Sequence, residues 1–186
     1  IISLLVSIFT VQASGHIYQT WDCDGNGTTL LTTEEPIPFV NLDGMYLGCA
    51  LINGTDAEWV DMTGAILSGC DLNHASLWYI SFEGVNLSNA DLSDVFSNHT
   101  WMVNAKLQGA TLTDAVFANA VLHGAQLQGA NLERLDIAGS EFHGANFSGA
   151  YMYDLWWAWG EFQNVIMAGV NMHGAPLNTS PFTGAL

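Results

Sequence analysis

His123 and His143 stand twenty residues apart, and Glu141 lies two places before the second. Two imidazoles and a carboxylate make a donor set for a divalent metal ion, provided the fold brings residues twenty apart together. Against that reading, all three would face outward, solvated and without an evident shell of supporting groups, which leaves a plain polar surface as the alternative. A second set lies in TWDCDGNGTTLLTTEE. Asp22, Asp24 and Asn26 fall at spacing 1-3-5 and Gly27 follows them, as in the first half of a calcium loop. The pattern then breaks, because Thr33 stands where the closing carboxylate belongs and Glu34 comes one place late. Calcium therefore competes here with a polar turn.

No catalytic constellation accompanies these residues. The chain has no Gly-rich phosphate loop after a strand, no HExxH and no CxxC. An enzyme is not expected, nor any cofactor beyond the calcium considered above. Cys23, Cys49 and Cys70 are too few for a disulfide scaffold and allow one bridge with a spare thiol. A Cys49–Cys70 bridge competes with Cys70 serving as a small core hydrophobe.

The elements that would position such residues are constrained by composition. Lys106 and Arg134 are the only basic side chains against 18 acidic ones, for a net charge of −16. Direct nucleic-acid binding is excluded on that balance, since phosphate contacts need clustered Lys and Arg. A hydrophobic content of 49% with 11% charged residues argues for a packed core rather than disorder. Residues 1–13 form an apolar run too short to span a membrane, and Val11-Gln12-Ala13 before Ser14 resembles a signal-peptidase site. We read 1–13 as a signal-peptide remnant, with an apolar capping strand as the alternative. Residues 14–36 read as an acidic, Gly-rich segment.

From residue 37 to 186 the chain repeats every five residues. The stretch AKLQG-ATLTD-AVFAN-AVLHG-AQLQG shows it plainly. From Leu42 to Phe182 a central position recurs in 29 consecutive units, and 27 carry Leu, Phe, Met, Ile or Trp; only Ala57 and Ser97 depart. The residue two before is mostly small, and the residue two after is mostly Gly, Asn or Asp. Two of five residues then point inward, and the Gly, Asn or Asp tolerates a tight turn. Each unit is one short side plus one corner, and four sides close a square coil of twenty residues. Stacked coils pair their backbones like a parallel sheet rolled into a tube. The last unit stops in mid-register at Ala185-Leu186, so the repeat is expected to continue.

Units such as AKLQG, ATLTD and ANLER resemble the A(D/N)LXX motif of pentapeptide repeat proteins. The resemblance covers about four-fifths of the chain. It implies an all-β fold, a right-handed quadrilateral parallel β-helix of about seven coils. The motif is structural and supplies no catalytic residues. Family members of best-understood function mimic DNA and act on gyrase.

Sorting the coil by faces collects the aromatics. Trp59, Trp78, Tyr79, Phe96, Trp101, Trp156 and Trp159 fall on or beside the face that also holds Ala57 and Ser97. Exposed aromatics at this density mark a contact surface for a protein, a glycan or a second copy of the chain, unless other parts of the protein pack there. His123 and His143 should stack on the next face, with Glu141 beside them. The expected function is a non-enzymatic scaffold, secreted, periplasmic or at the cell surface. The alternative is a cytoplasmic acidic rod that mimics DNA and binds gyrase.

Overall fold

The structure, a computed structural model, describes residues 61–174 and 183–185. Residues 1–13 and 14–36, Asp22, Asp24 and Asn26, Cys49 and Trp59 lie outside the described residues.

The five-residue period is visible in the backbone. Every fifth residue from Gly64 to Gly174 occupies the left-handed region, as Gly69, Asn89 and Asp114 illustrate. It is the third residue of a tight turn, which requires positive φ in a type II turn. The turn closes on the central residue of each unit: Ala65 N donates to Met62 O at 3.0 Å, and Ala110 N to Leu107 O at 3.1 Å. Between turns the chain is extended, and each side pairs with the side twenty residues on. Met62 N donates to Ser81 O at 2.8 Å, and Asn86 N to Ala65 O at 2.9 Å. The rungs are parallel, and one column runs Asp61, Ser81, Trp101, Val121, Glu141, Glu161. Most sides contribute a single paired residue. Only β1 (Phe96–Asn98) and β2 (Val116–Ala118) extend the pairing to three, in the register Ser97↔Phe117.

The interior is filled by the two inward positions. The central Leu67, Leu87, Leu107 and Leu127 are buried, as are the small residues beside them, such as Ala105 and Ala125. Each buried Leu or Phe contributes roughly 1.5–3 kcal/mol. Phe142 stacks on Phe162 with ring centroids 5.0 Å apart, and Trp157 meets Phe162 edge-on at 5.5 Å. Met62, Met102 and Met152 are buried, while Met167 and Met172 pack against the core partly exposed. Cys70 is buried at the inward small position.

Ser97 breaks the apolar pattern without breaking the core. Its hydroxyl is buried and donates to Leu77 O at 2.9 Å, with Thr100 Oγ1 on the same carbonyl at 3.0 Å. One coil pair further on, Ser140 Oγ donates to Phe117 O at 2.7 Å and accepts from Ala120 N at 2.9 Å. Thr100 and Ser140 belong to one column, each twenty residues from Ala120. Buried hydroxyls thus satisfy the Leu77 and Phe117 carbonyls at one corner of the coil.

Candidate functional site

The twenty-residue return carries side chains as well as backbone into columns. Glu141 and Glu161 are paired rungs, and the His123–His143 column runs two residues further along on the same side. The His123 and His143 rings stack obliquely, with centroids 4.5 Å apart. His123 Nε2 lies 2.9 Å from Glu141 Oε2. His143 Nε2 lies 4.0 Å from the same oxygen and 3.4 Å from Glu161 Oε2. His123, Glu141 and His143 each offer a ligand atom within 4.8 Å of the others'. The structure therefore brings these three sequence-selected residues together, and Glu161 stacks on Glu141 as the twenty-residue return predicts. All are partly exposed or more.

The aromatic residues divide into two groups. In the first, Trp78 packs on Phe96 at 5.3 Å between centroids, and Tyr79 stacks on His99 at 5.3 Å and 12°. Trp78 and Tyr79 are half-buried by these contacts, while Trp101 beyond the corner is 50% exposed. In the second, Trp156 is 57% and Trp159 79% exposed. Val116 and Asp136 occupy the column between Phe96 and Trp156, so the aromatic surface is interrupted rather than continuous.

Sequence reasoning passed over Tyr151 and Tyr153, both exposed, on the side just before Trp156. Tyr153 stacks on His173 at 5.4 Å and 3°. With Gly109, Gly129, Asn131 and Glu133 the two tyrosines line an open groove of about 520 Å³. A Cβ at Gly129 would meet nothing within 4 Å, so the bare corner itself forms part of the groove. The signal was available in the spacing, because Tyr151 and Tyr153 alternate on the strand and share an outward face.

Three residues of the aromatic corner are conformationally costly. Tyr79, His99 and Trp159 occupy the left-handed position with φ of 55°, 57° and 59°. A side chain with a Cβ costs roughly 1–2 kcal/mol there relative to glycine, and Asn or Asp would be less strained. Such strain persists where surrounding structure enforces it, and it clusters at binding surfaces.

Electrostatics centres on Arg134. Its guanidinium grips Asp114, one coil away, with Nε–Oδ1 and Nη2–Oδ2 both at 2.6 Å, and also contacts Glu133. The hydrogen bond from Arg134 holds the Asp114 carboxyl below its ordinary value, and Asp114 raises that of Arg134.

The family profile described as Pentapeptide repeats matches the chain in eight copies, over residues 65–96, 102–137 and 117–154. Over these residues the chain is built of pentapeptide repeats. No curated protein sequence matches it. Among solved structures it resembles two trypsin-treated forms of QnrB1, a plasmid-mediated fluoroquinolone resistance protein. One superposes with a TM-score of 0.54 at 16% identity, covering 78% of this chain and 88% of QnrB1. The other gives 0.51 at 16% identity, covering 81% and 91%. HetL, a pentapeptide repeat protein of the cyanobacterium Nostoc involved in heterocyst differentiation regulation, matches at 18% identity with a TM-score of 0.30, covering 81% and 86%. The likeness to QnrB1 shows the fold, the quadrilateral β-helix of pentapeptide repeat proteins. Among the described residues, no helix is long and apolar enough to cross a membrane.

Proposed function

We propose that this repeat protein is a non-enzymatic docking scaffold, secreted, periplasmic or at the cell surface, that binds a protein or glycan partner through its exposed aromatic side chains. The coil is taken as right-handed and about seven turns long. The observation that carries the reading is Trp159, which is 79% exposed and held in a strained backbone conformation beside exposed Trp156. Nothing in coil packing requires a tryptophan there, since Gly139 fills the same corner one coil earlier. Among the described residues the interior is filled by side chains, which gives no support to a desolvated reaction site. The apolar run before Ser14 supports placement outside the cytoplasm.

The test uses a Trp156→Ala, Trp159→Gly double variant on a glycan panel, on extracellular protein baits and in sedimentation velocity. The parent chain is expected to bind or self-associate, and the variant to lose that while melting no lower. A parent chain that is monomeric and binds neither class of ligand overturns the reading. So does a variant that binds as well as the parent.

The second reading is a cytoplasmic acidic rod that binds gyrase in place of DNA. It is favoured by the net charge of −16 on a coiled rod. A supercoiling assay separates the two: neither inhibition nor protection of gyrase removes the second.

A further inference from the structure

We propose that His123, Glu141 and His143 form a binding site for one divalent transition-metal ion of the zinc class, held across two successive coils with Glu161 beside it. The site is independent of the aromatic residues and of the docking role proposed above.

The donor set comes first. Two imidazole nitrogens and a carboxylate oxygen suit zinc, copper, nickel or cobalt, whereas calcium and magnesium prefer oxygen alone. The geometry follows. Tetrahedral zinc with bonds of about 2.0–2.1 Å places its donors about 3.3 Å apart. The donor atoms here are separated by 2.9 Å (His123 to Glu141), 3.4 Å (His143 to Glu161) and 4.0 Å (His143 to Glu141). The two distances to Glu141 bracket the requirement, and the ligand atoms of His123, Glu141 and His143 all lie within 4.8 Å of one another, so side-chain adjustment would seat the ion on these three.

The metal-free arrangement leaves charges in opposition. Glu141 and Glu161 are directly paired rungs, and like charges directly opposite each other repel. They do so in a chain whose only basic side chains are Lys106 and Arg134. A cation between the two carboxylates removes that repulsion. The His143 ring turns Nε2 toward both carboxylates.

Other histidines among the described residues lack this combination. His74 faces the single carboxylate of Asp94 at 3.8 Å, His99 stacks on Tyr79, and His173 stacks on Tyr153. Among the described residues, only where the His column runs beside a Glu column do two nitrogens and a carboxylate oxygen converge. An ion bound there joins the coils carrying residues 123 and 141–143, so binding and unfolding are linked.

The full chain, freed of any affinity tag, would be titrated calorimetrically with zinc chloride and melted with zinc or magnesium. One zinc per chain is expected, with a melting midpoint that rises with zinc and not with magnesium. His123→Ala and His143→Ala should each weaken binding by at least about tenfold, and Glu161→Gln should weaken it less. His74→Ala should leave it unchanged. Both site histidines point outward, so circular dichroism of the variants should match the parent. Cobalt(II) provides a second readout, an intense visible band of tetrahedral coordination that His143→Ala abolishes. No stoichiometric zinc binding by the parent chain overturns the proposal. Zinc bound equally by a His123→Ala, His143→Ala double variant also overturns it, by placing the ion elsewhere.

Discussion

Arg134 occupies a corner position that glycine, asparagine or aspartate would fill with less strain. It spans one coil to hold Asp114 with two hydrogen bonds. Because the folded carboxyl is held below its unfolded value, this pair favours folding above the ordinary range of a carboxyl, near pH 3.9. The contribution is lost as pH falls through the lower, folded value. Arg134→Met should therefore move the Asp114 titration, followed by NMR, up toward its ordinary value of 3.8. The variant should be less stable than the parent above that acidic window and converge with it as pH falls through it, and an unchanged Asp114 midpoint would count against the pairing. The His123–Glu141–His143 grouping was legible in the sequence because a return of twenty turns spacing into adjacency. Glu161 joins it by the same rule. The stacking of Tyr79 on His99 was legible by the same return of twenty, whereas the packing of Trp78 on Phe96 was not, because it depends on ring orientation, which the period does not set.

At the scale of the coil, backbone and interior are one repeating solution with a local exception. Most corners close by their own turn hydrogen bond, but at Phe117–Ala120 the Ser140 hydroxyl stands between the two groups. Ser140→Ala leaves a buried donor and a buried acceptor unpaired together. It should cost about 1–3 kcal/mol in urea unfolding, more than a hydroxyl-to-methyl change in an apolar core. Ala125→Ser, at an ordinary corner, should also destabilise, because Ala125 N already bonds to Leu122 O at 3.1 Å and the new hydroxyl has no such vacancy. A neutral result for Ser140→Ala would mean that the turn recloses on itself. The five-residue period made the coil readable, since two inward positions and a turn residue leave little choice of fold. The Ser/Thr column did not stand out, because serine and threonine also fit the small inward position by size.

Across the whole molecule the acidic side chains are unbalanced, and some stack on one another. Asp71 pairs with Asp91, and Glu141 with Glu161. Self-repulsion at net charge −16 should weaken the fold at low ionic strength. Raising salt from ~0.01 M to ~0.15 M shortens the screening length from about 30 Å to about 8 Å. The melting midpoint should rise over that interval by circular dichroism. A midpoint that falls would show that attractive pairs such as Arg134–Asp114 outweigh the repulsion.

The square coil also makes length a form of angle. Removing one five-residue unit preserves every inward position and every turn, yet rotates all that follows by a quarter turn about the long axis. His143 would leave His123 and come to lie over a different face, although each unit still folded as before. Removing twenty residues restores the phase, while removing three or four places polar side chains in the interior. The surface of this molecule is thus written in a rotational frame. Shifts by fives redistribute its binding groups without touching its core, and only shifts by twenties leave both unchanged.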